Sequence, residues 1–283
     1  MPSVFFQVLC LLFFSGLLQA DWRTWRGPDS DGLSDSQKLP DSWSETQNLD
    51  WKFSLPAAGS STPIVVKDKI FLTFELDNEV KAMGIGVDGR ELWTRVVCQT
   101  KGKGNGEKTF ASPTPSSDGK LLFVTTGTGE VVAFDLEGLE KWRFNAQERY
   151  GKFRYGFGFH STTVLHEGRL YLQLIHSAAQ LVVCIDGQSG KEVWKAERES
   201  DGVAECEHSY ASPTAYRKED LNVLVTHGND YCVGHDPVTG KELWRVAGLN
   251  PKNQYNRTLR FVASPVVSQG LLVVPSAKNR GVS

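Results

Sequence analysis

Short apolar runs, separated by turns that contain Gly or Asp, follow one another along most of the chain. Each run has about four or five residues, and no long segment places its apolar residues at the helical period of about 3.6. Runs of this length between turn residues are typical of β-strands. The pattern therefore predicts an all-β fold, with strands that include residues 70–74, 121–124, 170–174, 223–225 and 271–274.

Tryptophans close successive stretches of similar length. The intervals between them are 42, 49, 52 and 50 residues, a period that is typical of propeller and solenoid repeats. Each later tryptophan follows an Asp and a Gly, as in DGQSGKEVW at 186–194 and DPVTGKELW at 236–244. Because an Asp carboxylate can cap its own turn and Gly accepts a positive φ, these segments predict hairpins of fixed register. The repeated tryptophans are Trp51, Trp93, Trp142, Trp194 and Trp244.

The beginning of each unit is repeated as well. A Ser or Thr, usually followed by Pro, precedes the first short strand of every unit. Each unit thus contains four strands, A to D in chain order, and strand D carries the tryptophan. Four-stranded sheets at this period are predicted to be β-propeller blades, with the indoles filling the space between neighbours. The chain has four complete units and the first two strands of a fifth. The unit starts are at 61–63, 111–113, 161–163, 211–213 and 263–265.

The Asp-x-x-Thr-Gly-Lys-x-x-Trp segment, in units that begin at Ser-Pro, resembles the tryptophan-docking repeat of the pyrroloquinoline quinone (PQQ)-like β-propellers. The segment WRTWRGP at 22–28 resembles the start of many exported bacterial proteins of this type. The resemblance implies the fold and leaves the function open. The family of PQQ-like propellers includes the quinoprotein dehydrogenases and also non-enzymatic members, such as the propeller lipoprotein of the outer-membrane β-barrel assembly machinery.

Propellers of this family commonly have more blades than the five that begin here. We therefore expect the propeller domain at 51–283 to be incomplete at its C-terminus. Either the chain is part of a longer protein, or it is a divergent propeller that a partner closes.

The first twenty residues contain no charged side chain and end at the small residue Ala20. They predict a signal peptide at 1–20 that is cleaved before Asp21, with an uncleaved N-terminal anchor as the alternative. Residues 21–50 then form a lead-in segment before the propeller. We expect an exported protein, periplasmic or extracellular, with no transmembrane segment after cleavage.

Charge and cysteine content exclude some classes of function. The formal net charge of −2 leaves no excess of basic residues for binding a phosphate backbone, so no nucleic-acid partner is predicted. Four cysteines remain after signal cleavage, and the sequence does not choose among their three possible disulfide pairings. None of their spacings is a metal-binding CxxC, so no zinc site built on cysteine is predicted and no metal ligand is assigned.

The long loops from strand D to the next strand A should emerge on the same face as the turns between strands B and C. Residues on long loops of a rigid scaffold commonly bind ligands. Histidines in these segments suit a ligand pocket or a His-based metal or acid–base site, and the alternative is that they hydrogen-bond loop backbone. The predicted ligand-binding residues of this loop face are His160, His176, His208, His227, Tyr155, Tyr210 and Arg260.

For a PQQ dehydrogenase, the resemblance implies carboxylate and Asn ligands for calcium, an Asp general base and a pair of vicinal cysteines. The sequence has no Cys-Cys pair, and turn chemistry accounts for the acidic and amide residues at 77–79 and 229–230. We therefore expect a non-catalytic binding or scaffold module for a protein, peptide or glycan partner. The alternative is a quinoprotein-type dehydrogenase that uses PQQ and calcium. No catalytic residue is predicted.

Overall fold

The structure is a computed structural model, and it describes residues 21–34, 39–102 and 109–275. The predicted signal peptide at 1–20 and the chain end at 276–283 lie outside the described residues. Within those ranges, no helix is both long enough and apolar enough to cross a membrane.

Four antiparallel four-stranded sheets follow one another along the chain, and a fifth sheet begins with two strands. Neighbouring strands in each sheet are also consecutive in sequence, so every blade is a simple meander. This topology confirms the predicted all-β propeller of four-stranded blades. The strands are β1 Ile64–Val66, β2 Lys69–Leu76, β3 Glu79–Gly86 and β4 Glu91–Gln99 in blade 1; β5 Ser116–Ser117, β6 Leu121–Thr125, β7 Glu130–Asp135 and β8 Glu140–Asn145 in blade 2; β9 Val164–His166, β10 Arg169–His176, β11 Ala179–Asp186 and β12 Glu192–Glu197 in blade 3; β13 Thr214–Lys218, β14 Leu221–Gly228, β15 Tyr231–His235 and β16 Glu242–Val246 in blade 4; and β17 Val266–Ser268 and β18 Leu271–Val273 in blade 5.

Short helical segments that the sequence pattern did not predict lie in the long loops. Helix α1, Ala146–Tyr150, follows β8 directly, and the Asn145 side chain caps it by accepting from two backbone N–H groups of its first turn. Single 3₁₀ turns, Ala204–Glu207 and Lys252–Gln254, occupy the corresponding loops of the next two blades. The loop face therefore has local structure of its own.

The hairpins between strands C and D have the predicted Asp and Gly roles. The Asp186 carboxylate accepts the backbone N–H of Ser189 at 2.8 Å, and Gly190 takes a φ of +67°. In the next blade the Asp236 carboxylate accepts the N–H of Val238 at 2.7 Å. The Asp fixes the turn and the Gly adopts a left-handed conformation that other residues reach only with strain.

Each docked indole bridges its own blade to the next. The Trp93 N–H donates to the Leu136 carbonyl at 3.0 Å, and the ring lies on Gly138, where a Cβ atom would come within 2.7 Å. Only a glycine therefore lets the indole approach this closely. The same hydrogen bond joins Trp51 to Val87, Trp142 to Gly187 and Trp194 to Pro237.

Trp244 differs from these four tryptophans. It packs against Gly234 of its own blade and against the apolar cluster shared with blade 5. The described part of blade 5 ends before a turn between strands C and D, so within it Trp244 has no such turn to dock on.

The apolar core lies between blades rather than inside one sheet. Phe71 of blade 1 and Phe134 of blade 2 flank Trp93, with ring centroids 5.7 Å and 6.2 Å from the indole. All three belong to one buried cluster that crosses the blade boundary. A single blade would leave this surface exposed, so each blade is stabilised by its neighbours.

The lead-in segment lies against the inner strands. Trp22 pairs with Val65 of β1, and the Arg23 carbonyl accepts the N–H of Ser117 in β5 at 2.9 Å. Three residues later, the Arg26 guanidinium donates to the Pro265 carbonyl, next to β17, at 2.9 Å. Residues 22–26 thus connect the first two blades to the fifth.

Cys98, Cys184, Cys206 and Cys232 are all free thiols, so none of the three pairings forms. Burial raises the pKa of Cys184 to about 11 and that of Cys232 to about 12. These two cysteines are neutral, apolar residues of the blade core.

Candidate functional site

A series of hydroxyl groups links the inner strands of all five blades. The backbone N–H that precedes strand A of one blade donates to the hydroxyl oxygen of the next blade, at 2.8–3.1 Å. Four of these hydroxyl-bearing residues are the Ser or Thr of the repeated unit start, and the fifth, Thr114, directly follows the unit start at 111–113. The recurrence of Ser and Thr predicts where a strand begins, but no local pattern predicts the hydrogen bonds between blades. We call these five residues the hydroxyl belt: Thr62, Thr114, Thr162, Ser212 and Ser264.

The hydroxyl belt lines a cavity of about 500 Å³ on the inner side of the blades, called here the axial cavity. Two predicted residues of the loop face, His160 and Tyr210, also line it. Trp25 and Arg26 of the lead-in segment complete the wall. Among the described residues that line the axial cavity, none is an Asp or a Glu.

Arg26 is the one arginine or lysine among the described residues that line the axial cavity. Its guanidinium lies 4.2 Å from the Trp25 ring centroid, and burial lowers its pKa. No ion pair joins it to a carboxylate within the described ranges. The cavity therefore contains a partly desolvated positive charge.

Beside the cavity, aromatic rings from successive loops pack together. The Tyr155 ring lies 4.8 Å from His176, 6.3 Å from His208 and 6.0 Å from Tyr210, measured between centroids. His160 is 6.5 Å from Tyr210. Burial raises the pKa of both tyrosines, so their hydroxyl groups are neutral near pH 7.

Arg260 joins this cluster at its exposed edge. Its guanidinium stacks 4.3 Å from the centroid of Phe157, and its Nε lies 3.2 Å from the Glu205 carboxylate in an ion pair. Phe157 is 40% exposed, in contrast to the buried Tyr210 behind it. Six of the seven predicted site residues thus come together, and sequence reasoning missed Glu205.

Two of these histidines also form hydrogen bonds with the backbone of their own loops. The His160 Nε2–H donates to the Phe157 carbonyl at 2.7 Å, and His176 Nδ1 accepts the Ala178 N–H at 3.2 Å. Burial, together with charge from His208 and Arg154, lowers the pKa of His176 to about 4. His176 is therefore neutral near pH 7, and its hydrogen bond positions a turn between strands B and C.

His227 lies apart from the aromatic cluster. Its ring packs edge-on against Phe261, with centroids 4.7 Å apart, and its Nε2–H donates to the Pro275 carbonyl at 2.9 Å. Burial lowers its pKa to about 4. The sequence placed His227 on the loop face because it is near the end of β14, but its side chain is buried among the last two blades.

The described residues do not fit PQQ with calcium. The wall of the axial cavity lacks the carboxylates that calcium requires. Nowhere in the described ranges do three or more His, Cys, Asp or Glu side chains form a group that could hold a metal ion. The four free cysteines lie in different blades or loops, so no vicinal pair is present among them.

Comparison with known sequences identifies a family over most of the chain. A family model described as outer membrane protein assembly factor BamB matches residues 76–283. No match was found among curated proteins.

Solved propellers share the fold at low sequence identity. BamB from Moraxella catarrhalis superposes with a TM-score of 0.50 at 15% identity, over 80% of this chain and 57% of that one. Europium-containing methanol dehydrogenase gives 0.61 at 13%, over 90% and 54%. Quinohemoprotein alcohol dehydrogenase from Comamonas testosteroni gives 0.60 at 13%, over 90% and 46%. This chain therefore spans about half the length of these proteins, and the similarity shows the fold alone.

Proposed function

Because this chain belongs to the PQQ-like β-propeller family of the outer membrane protein assembly factor BamB, we propose that it is an exported scaffold that binds a protein partner through its loop face. The name of that family describes a protein that assists assembly. The same role for this chain requires a surface suited to protein contact.

The observation that carries the proposal is the pairing of Phe157 with Arg260. An exposed aromatic ring stacked on a guanidinium, with a rigid buried cluster behind it, has the composition of an interface hot spot. Glu205 holds the guanidinium in place through its ion pair. The contact pair is thus held in position before binding, which lowers the entropy cost of association.

The chemistry of the described cavity disfavours the dehydrogenase alternative. The fold is shared with two quinoprotein enzymes, but a fold does not determine an activity. The described cavity wall offers no carboxylate set for a calcium ion. Oxidation of alcohols or sugars by the purified chain, given PQQ and calcium, would contradict the scaffold proposal.

The proposal is tested with a photo-crosslinking amino acid at Phe157 of the full chain, expressed in the cells that produce it. The matched control carries the same amino acid at Lys120, which is exposed in the turn between β5 and β6, where the opposite face is expected. We expect one exported protein to crosslink to position 157 and not to position 120. The purified pair should then bind in solution, and Arg260→Ala should weaken binding.

Equal crosslinking from both positions, or none from position 157, would contradict binding of a protein partner through the loop face. A crosslinked protein whose purified form binds Arg260→Ala as tightly as the unmodified chain would also contradict it. A glycan partner would leave position 157 without a protein adduct and would be found by glycan-array binding.

A further inference from the structure

The hydroxyl belt has unused hydrogen-bond donors. Thr114, Thr162, Ser212 and Ser264 each accept a backbone N–H through the side-chain oxygen, which fixes that oxygen in place. A hydroxyl that accepts one hydrogen bond still has its own proton to donate. Within the described ranges, none of these four protons has an acceptor, although the four residues are at least nine-tenths buried.

Arg26 adds further donors to the same cavity. A guanidinium has five N–H groups, and the described hydrogen bonds account for one of them, to the Pro265 carbonyl. The remaining groups and the positive charge have no carboxylate partner in the described part of the chain. A partly buried cation without a counter-ion is costly, and a bound anion would remove that cost.

From these donors and this charge, we infer that the axial cavity binds an organic carboxylate, held by Arg26 and the hydroxyl belt. The site is separate from the Phe157 and Arg260 contact and does not depend on it. Its ligand is either a free organic acid or the carboxylate of an acidic residue of a polypeptide, since the two have the same reacting group.

The charge and shape of the cavity favour a carboxylate over a phosphate group. One guanidinium balances one negative charge, whereas a phosphate dianion would bury a second charge without a partner. The Trp25 and Tyr210 rings and the Val262 side chain add apolar wall, which suits the carbon skeleton of an organic acid. The planar fork of Arg26 matches the two oxygens of a carboxylate.

Isothermal titration of the purified full chain tests the inference with two probes. One is butyrate, and the other is the tripeptide N-acetyl-Ala-Ala-Glu amide, so each probe carries one carboxylate. The uncharged controls are butyramide and the corresponding Gln peptide. We expect saturable binding of at least one carboxylate probe and none of its amide control. Tighter binding of butyrate identifies a free acid as the ligand, and tighter binding of the peptide identifies an acidic residue.

Arg26→Gln should weaken carboxylate binding by roughly tenfold or more, the usual effect of losing a hydrogen bond to a charged group. Arg23→Gln is the matched control, because Arg23 is in the same segment but pairs with Asp21. Circular dichroism verifies that both variants fold.

A second measurement needs no variant. The probe that binds should protect Arg26 from modification by phenylglyoxal, with Arg23 as the internal control, as read by peptide mass spectrometry. Absence of binding by both probes, equal binding of the amides, equal affinity for Arg26→Gln, or no protection of Arg26 would overturn the inference.

Discussion

Trp142 and Gly190 belong to neighbouring blades and are in direct contact. The indole lies so close to the glycine that a Cβ atom there would come within 2.7 Å of the ring. The contact is the same at two other blade boundaries, where Gly138 and Gly240 lie under Trp93 and Trp194, and Gly89 of blade 1 lies under Trp51, which precedes that blade. The close spacing of the blades therefore requires glycine, because any other residue would place a Cβ atom against the indole.

Gly190→Ala should destabilise the protein through both backbone strain and overpacking. Gly190 has a φ of +67° and lies under the indole, whereas Gly168 has a φ of +75° with no atom near its Cβ position. Gly168→Ala therefore measures the backbone cost alone. We expect Gly190→Ala to lower the free energy of unfolding by about 1–3 kcal/mol more than Gly168→Ala, measured by urea denaturation. Equal losses would show that the ring contact does not set the blade spacing.

Thr162→Val should destabilise the inner strands. The substitution removes the hydroxyl that accepts the Thr114 N–H at 3.1 Å, and it leaves this buried donor without a partner. The expected loss in the free energy of unfolding is about 1–3 kcal/mol, measured by urea denaturation. Thr162→Ser keeps the acceptor and should lose less. A valine variant as stable as the serine variant would contradict the structural role of the belt.

The blades could be predicted from the sequence because their signals are local and repeated. Asp186, Gly190 and Trp194 lie within a single hairpin, and the same hairpin recurs along the chain. Turn residues and short apolar runs each involve only a few neighbouring residues, so they can be recognised without knowledge of the rest of the fold.

The axial cavity could not be predicted in the same way. Arg26 reaches Pro265 across 239 positions of sequence, and no local pattern signals such a contact. His227 was expected on the accessible loop face. It has the expected position in its strand, but its ring is covered by Phe261. Strand position predicts which face a residue is near, and packing with later residues determines whether its side chain is accessible.

Asp230→Asn should loosen the long loop that follows blade 4. The Asp230 carboxylate is 2% exposed, and it accepts from Tyr255 Oη, from Asn250 Nδ2 at 3.1 Å and from Lys252 Nζ at 3.3 Å. An amide replaces one acceptor oxygen with a donor and removes the charge. Hydrogen exchange in residues 249–260 should therefore become roughly tenfold faster.

The matched control for the loop is Asp201→Asn. Asp201 also pairs with Lys252, at 3.0 Å, but its side chain is 63% exposed. Exposed ion pairs contribute little to stability, so we expect almost no change in exchange. Similar exchange rates in the two variants would mean that the buried carboxylate does not anchor the loop.

His227 should make the protein less stable in mild acid. Burial holds its pKa at about 4 in the folded state, against an ordinary value of 6.5. Between these two values the unfolded chain binds more protons than the folded one, so the free energy of unfolding is highest above pH 6.5 and falls as the pH is lowered towards 4. At about 1.4 kcal/mol per pKa unit, His227 accounts for roughly 3 kcal/mol of this fall.

His227→Gln retains a donor for the Pro275 carbonyl but does not titrate, so its stability should decline less steeply over the same range. Urea denaturation of both proteins at pH 7, 6 and 5 measures the difference, and parallel declines would show that protonation of His227 is not coupled to unfolding.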